Sequence, residues 1–355
     1  MKKEHLLVIR FSALGDVAMT VPVVYALAKG YPDLRITVLS RSYARPLFED
    51  LAPNVNFMEA DLKVEYRGVK GLNALYRRLA AKHFTKVADL HSVLRSDYLR
   101  MRFNLGHYRV EHIDKHRQLR RSLTSQKNRQ LKQLPTSFSN YSDVLARLGY
   151  KIDLSLFHSI FPPEGGNLNM LPAAIRPKSS LHPWIGIAPF AAHECKIYPP
   201  EQMEQVIALL TERHPDAHIF FFGKGEYENQ YFEKWCQRWS QCTNASELLE
   251  SLYQELILMS HLNVMLSMDS ANMHLASLTA IPVVSVWGAT HPFAGFVGWK
   301  QSERNIVHTD GLDCRPCSIY GQKPCQRGDM ACMTRIRPET IVERIEDNLI
   351  TNPQN

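Results

Sequence analysis

Across its 355 residues the chain has no apolar run approaching the roughly 20 that a membrane-spanning helix needs, so none is expected. No secretory leader is expected at the start. Lys2 and Lys3 are followed by Glu4, His5 and a short apolar stretch, with no h-region or cleavage site, and this reads as a cytoplasmic protein. No G-x-G-x-x-G follows either leading strand, which argues against a dinucleotide-dependent dehydrogenase. No internal repeat is evident, so a repeat array is excluded too. What remains is a chain of ordinary hydrophobic content whose length exceeds one usual core and suits two α/β halves.

The apolar pattern alternates strands with helices. Strands are expected at 5–11, 35–39, 86–90 and 108–113, and again at 184–188, 217–222, 263–268, 282–287 and 305–308. Short, nearly continuous apolar strands separated by helices imply parallel sheets covered on both faces. A Pro- and Gly-containing stretch between Phe161 and Pro183 reads as the link between the halves.

Two strand-to-helix junctions carry the chemistry. In the first, strand 263–268 runs into Asp269 and Ser270, natural N-caps, and then a helix-compatible stretch from Ala271. Such a junction either caps its helix or presents backbone N–H groups to a phosphate or diphosphate, which would mean a nucleotide ligand. In the second, the strand from His5 ends in Phe11-Ser12-Ala13-Leu14-Gly15-Asp16, and Gly15 permits a tight turn that holds Asp16 at a helix start. Asp16 is there either as a helix-stabilising charge or as a general base. His274, one turn into its helix, suits a packed core position as well as a ligand. Glu226, after Phe222-Gly223-Lys224-Gly225, is either a surface acid or an acceptor for a ribose hydroxyl. His91 and Arg95 follow the strand ending at Leu90.

Together the junctions resemble glycosyltransferase family 9, the lipopolysaccharide heptosyltransferases. The segment from Leu7 to Pro22, with Arg10, Gly15 and Asp16, is similar to that family's opening motif. Ile185 to Pro199, with Lys196, is similar to its middle motif, and Asp269 to Ala276 with Pro282 to Pro292 to its donor motif. One departure is Ala271, where the family usually has glycine after the donor-site hydroxyl residue.

The resemblance implies a GT-B fold, two Rossmann-like α/β domains with parallel sheets facing across a cleft. Its domains would be an acceptor-binding domain at 1–165, a linker at 166–183, a nucleotide-sugar domain at 184–337, and a final helix at 338–355 crossing back to the first domain. It implies inverting transfer of a sugar, heptose from ADP-heptose being favoured, onto lipopolysaccharide core or a related surface glycan. Asp16 would be the base and Lys196 would neutralise the leaving diphosphate, with no cofactor needed for catalysis. Donor contacts would come from Asp269 on sugar hydroxyls, from Ser270, Ala271 and Asn272 on phosphate, and from His274, Glu226 and Thr290. His91, Arg95, Arg120 and Arg121 would face the acceptor. A GT-B enzyme using a UDP- or GDP-hexose is the alternative, and a non-catalytic glycan- or nucleic-acid-binding protein is the rival outside enzymes.

Lys and Arg outnumber Asp and Glu by seven. Between Arg100 and Lys132 ten basic residues face only Glu111 and Asp114, so the surplus is concentrated there. Such a run is a solvated loop or a surface for a polyanion. Its few aromatics argue against nucleic acid, and the resemblance favours an anionic glycolipid acceptor and peripheral contact with the cytoplasmic face of the inner membrane.

Four of the seven cysteines, Cys314, Cys317, Cys325 and Cys332, begin with a CxxC knuckle. They are expected either to hold a structural zinc or iron or to be reduced cytosolic thiols.

Overall fold

The computed structural model describes residues 4–175 and 182–351. The expected linker falls partly outside them, at 176–181, as does the end of the expected final segment, at 352–355. Two compact units emerge. Unit 1 comprises Met1–Lys115 with Pro135–Ile160, and unit 2 comprises His116–Leu134 with Phe161–Asn355.

Unit 1 is a five-stranded parallel sheet of β1 (His5–Ile9), β2 (Arg35–Ser40), β3 (Val55–Glu59), β4 (Lys86–Asp89) and β5 (Arg109–His112), in the order β3-β2-β1-β4-β5. All five residues of β1 are buried, because a central parallel strand is covered by helices on both faces. The helices are α1 (Leu14–Ala18), α2 (Val21–Gly30), α3 (Gly68–Ala80), α4 (Leu94–Leu105) and, after the excursion into unit 2, α6 (Ser137–Arg147). In α3, Leu72, Leu75 and Leu79 recur at helical spacing and enter a core that includes Leu7, Ile9, Leu39 and Phe103.

Unit 2 is a six-stranded parallel sheet of β6 (Trp184–Ala188), β7 (His218–Phe221), β8 (Cys242–Asn244), β9 (Val264–Met268), β10 (Val283–Trp287) and β11 (Ile306–His308), in the order β11-β10-β9-β6-β7-β8. Its helices are α5 (Arg117–Leu123), α7 (Pro200–Arg213), α8 (Glu226–Arg238), α9 (Ala245–Leu248), α10 (Leu252–Ser260), α11 (Ala271–Ser277), α12 (Ala331–Thr334) and α13 (Pro338–Thr351). Ile185, Ile187, Leu266 and Val284 from the strands meet Trp235 and Met203 from the helices in its core.

Two of these strands were not expected from the sequence. β3 is only partly buried at an edge of the unit 1 sheet, and β8 has only three residues at an edge of the unit 2 sheet, so neither presents a continuous apolar run.

The final helix packs within unit 2. Ile341, Val342 and Ile345 are fully buried in the unit 2 core, and Glu346 pairs with Arg213 and His214 at the end of α7. The basic segment 116–134 likewise belongs by its contacts to unit 2. Among the described residues no helix is long and apolar enough to cross a membrane.

In each sheet the chain runs outward one way from a central strand and then restarts beside it. The strand order therefore reverses between β1 and β4 in unit 1 and between β6 and β9 in unit 2. The crevice outside the carboxyl ends of such a strand pair is where open α/β sheets bind ligands.

Candidate functional site

At the switch point of unit 1, Arg10 leaves β1 and turns its buried guanidinium toward the helix start. Its Nη2 lies 2.6 Å from Asp16 Oδ2, and its Nη1 donates to the Leu90 carbonyl at 2.7 Å. The Ala13 amide donates to the same Asp16 oxygen at 3.3 Å, while Tyr141 stacks at 5.9 Å from the Arg10 guanidinium and donates to the Asp16 carbonyl. Asp16 keeps about a quarter of its side chain exposed. A carboxylate so held is fixed in direction yet reachable, which suits a proton acceptor.

β4 ends in Asp89, fully buried, whose Oδ1 accepts from the amides of His91 and Ser92 and whose Oδ2 meets Arg100 at 3.3 Å. Lys115 closes this loop by donating to the Ser92 carbonyl at 2.9 Å. His91 is buried against Phe11, with its Nδ1 lacking a hydrogen-bond partner among the described residues. Burial, helped by the charges of Arg10 and Lys115 and opposed by Asp16, pushes its pKa down to about 3. The ring is neutral near pH 7 and offers hydrogen bonds rather than charge. Arg95, in the first turn of α4, is exposed and is not drawn into the group around Asp16.

At the switch point of unit 2 three elements converge on Asp269, the residue after β9. Lys196, in the turn after β6, places Nζ 3.0 Å from Asp269 Oδ2, and Thr290, after β10, donates to the same oxygen at 2.7 Å. Asp269 is almost wholly buried and Lys196 nearly so. The sequence separates these residues by 73 and 21 positions, and parallel pairing of β6, β9 and β10 brings them together. The cluster offers a cation and a carboxylate side by side, a pairing suited to a ligand bearing both phosphate and hydroxyl groups.

Close backbone packing holds the Lys196 turn. A Cβ on Gly288 would lie 2.6 Å from the Cys195 carbonyl, which accepts from Ala289 N at 3.1 Å, so only glycine lets the turn lie against the end of β10. Gly321, at φ +80°, leaves room for the Lys196 stem, whose Cγ and Cδ would stand 2.5 Å from an added Cβ. The segment bearing Gly321 is tied to the same strand end, with Arg315 Nε donating to the Gly288 carbonyl at 2.7 Å and the Cys317 amide to Ala289 at 3.1 Å.

Ser270 occupies the N-cap of α11, but its hydroxyl makes no capping bond and lies 3.3 Å from Ser267 Oγ. Ala271 and Asn272 form the first turn of α11, half-buried, and His274 is buried one turn on. Glu226 begins α8 on the surface. In that loop the anchored carboxylate is Glu228, which accepts from the Lys224 amide at 2.7 Å and whose pKa burial pushes up.

In unit 2 the Arg120 guanidinium sits over the rings of Phe296 and Tyr320 and bonds the Tyr320 hydroxyl, while Arg121 is exposed. Arg129 donates to the carbonyls of Asp313 and Arg315, so the basic segment straps the cysteine-bearing one. Cys314, Cys317, Cys325 and Cys332 do come together, lining a small cavity with Cys195 and Arg315. Among the described residues, however, no three His, Cys, Asp or Glu side chains are placed to hold a metal ion, and the expected structural zinc or iron is not supported. Burial raises the Cys195 and Cys317 pKa values and pushes Cys332 up to about 11. Order in this segment comes from the hydrogen bonds of Arg315, Cys317 and Arg129.

Sequence reading assigned no role to Arg10, Tyr141, Asp89 or Gly321. Arg10 left one signal, a charge directly after an all-apolar strand; the others depend on long-range packing.

With this geometry in place, comparison with known proteins is informative. Residues 73–323 match the sequence model of glycosyltransferase family 9 (heptosyltransferase). Lipooligosaccharide heptosyltransferase 2 of Campylobacter jejuni is 27% identical over 150 residues, 41% of this chain and 44% of that protein, so the match spans under half of the relative's length. A family 9 glycosyl transferase from Veillonella parvula superposes with a TM-score of 0.72 at 17% identity, covering 99% of both chains. The E. coli heptosyltransferase WaaC with ADP superposes with a TM-score of 0.67 at 16% identity, covering 97% of this chain and 99% of that one. The two parallel-sheet units thus have the GT-B heptosyltransferase fold.

Two predictions follow from the geometry. Gly321→Ala is expected to push Lys196 off Asp269 and to weaken pyrophosphate binding by about tenfold, roughly 1.4 kcal/mol, with the fold kept. Calorimetry reads this, and unchanged affinity would separate Gly321 from Lys196. The His91 pKa lies below its unfolded value, so its contribution to stability is full above about pH 6.5 and is lost as pH falls toward 3. The melting temperature should therefore drop already between about pH 6.5 and 5, before most carboxylates titrate, and should drop less in His91→Gln. Parallel curves for the two proteins would contradict this.

Proposed function

Because the chain belongs to glycosyltransferase family 9, we propose that it is an inverting glycosyltransferase that moves heptose from ADP-heptose onto a lipopolysaccharide-type core. The observation that supports this most is the meeting of Lys196, Asp269 and Thr290 at the switch point of unit 2, in a chain whose relatives include lipooligosaccharide heptosyltransferase 2. A cation and an anion held together match the two halves of a sugar nucleotide.

In this reading unit 2 takes the donor. Lys196 leaves Asp269 for the diphosphate, and Asp269, still oriented by Thr290, accepts hydrogen bonds from sugar hydroxyls. Ser270 and the amides of Ala271 and Asn272 meet phosphate oxygens, and Glu226 meets the ribose. Unit 1 takes the acceptor, with the neutral His91 ring and Arg95 contributing hydrogen bonds. Asp16 removes the acceptor hydroxyl proton as that oxygen attacks the anomeric carbon. The bond to the diphosphate oxygen breaks on the opposite side, so configuration inverts, and Lys196 neutralises charge building on departing ADP. The acceptor is a glycolipid reached at the cytoplasmic face of its membrane.

Asp16→Asn keeps the carboxylate's shape but cannot take a proton. It is expected to retain its melting temperature and ADP affinity while turnover of ADP-heptose falls by about 10²–10⁴-fold. ADP release in the presence of lipopolysaccharide core acceptor measures this, and near-wild-type turnover would remove Asp16 as base.

A further inference from the structure

Helix α4 carries two apolar stripes. One, Ser96, Leu99 and Phe103, faces the unit 1 core. The other consists of Leu94, Met101 and Leu105, spaced seven and four residues apart on the opposite side, with exposures of 88%, 48% and 70%. A soluble surface helix normally presents polar residues there. Beside it lies α3, joined to α4 through the Arg102 side chain, which bonds Asn73 and covers the Tyr76 ring at 4.5 Å. Val64, before α3, and Val69, in its first turn, are exposed at 78% and 62%. None of these five side chains is required by the catalytic groups described above.

Charge accompanies the apolar residues. From Lys63 to Leu105 there are ten Lys and Arg against three Asp and Glu, and one of those acids, Asp89, is fully buried. Lys63, Arg67, Lys70 and Arg95 are exposed on the same two helices and their approaches. Large apolar side chains standing out from a helix amid basic ones match an interfacial membrane contact.

We propose that the α3–α4 face of unit 1 docks on an anionic lipid bilayer, with Leu94, Met101 and Leu105 entering the headgroup boundary and Lys63, Arg67 and Lys70 meeting lipid phosphates. The inference deepens the glycolipid-acceptor reading and moves the membrane contact away from the basic segment 116–134, which is strapped to unit 2.

The full chain is sedimented with vesicles of phosphatidylethanolamine containing about one-third phosphatidylglycerol, and with phosphatidylcholine alone. Binding to the anionic vesicles is expected to be at least about tenfold tighter and to weaken with added salt. Leu94→Ser with Leu105→Ser, and separately Arg67→Glu with Lys70→Glu, should each weaken it by about tenfold or more at unchanged melting temperature. Absence of sedimentation, equal binding to both lipids, or variants that bind like the parent would overturn the proposal. These vesicles contain no glycolipid, so such a failure is distinct from failure of the transferase reading, which ADP release from ADP-heptose tests.

Discussion

A carboxylate with almost no exposure at the end of a central strand must be compensated, and Asp269 sets the terms for unit 2. Its charge would cost several kcal/mol if left alone in that position. Lys196 and Thr290 answer it from two neighbouring strand ends, fixing the turn after β6 and the loop after β10 relative to β9. Gly288 and Gly321 are the steric consequences, since the Lys196 turn can reach Asp269 only if the chain on either side of it has no side chain. The cysteine segment and the Arg120–Arg129 strap complete the outer wall of the same arrangement.

Unit 1 solves a related problem with less burial. Arg10 is the shielded partner and Asp16 the more open one, so the acid is oriented without being sealed. The difference fits the proposed division of labour. A base must meet an incoming hydroxyl, whereas a donor-site lysine must exchange one anion for another, and the Asp269 carboxylate supplies its partner until the diphosphate arrives.

Much of this was legible in the sequence because parallel strands buried on both faces read as apolar runs. The strands carrying both switch points were visible, and Asp16 and Asp269 follow them closely, whereas Lys196, eight residues past β6, was reached only through the family resemblance. Edge strands β3 and β8 were not visible, because half-exposed or three-residue strands lack that signal. A charge run gives no such detail: the segment around Arg120 reads as a surface for polyanions, and the bonds two of its arginines make to rings and carbonyls within unit 2 carry no sequence signal. The four spaced cysteines do line one cavity, joined there by Cys195, but without the ligand geometry, since spacing constrains the chain's path more than the direction of its side chains.

The measurement that bears most directly on this account is calorimetric binding of ADP, UDP and GDP to the parent protein and to Lys196→Ala. The account predicts selective binding of ADP, weakened about tenfold or more when the lysine is removed, on the order of 1.4 kcal/mol. Equal affinity of the two proteins for ADP, or binding of UDP or GDP in its place, would contradict it.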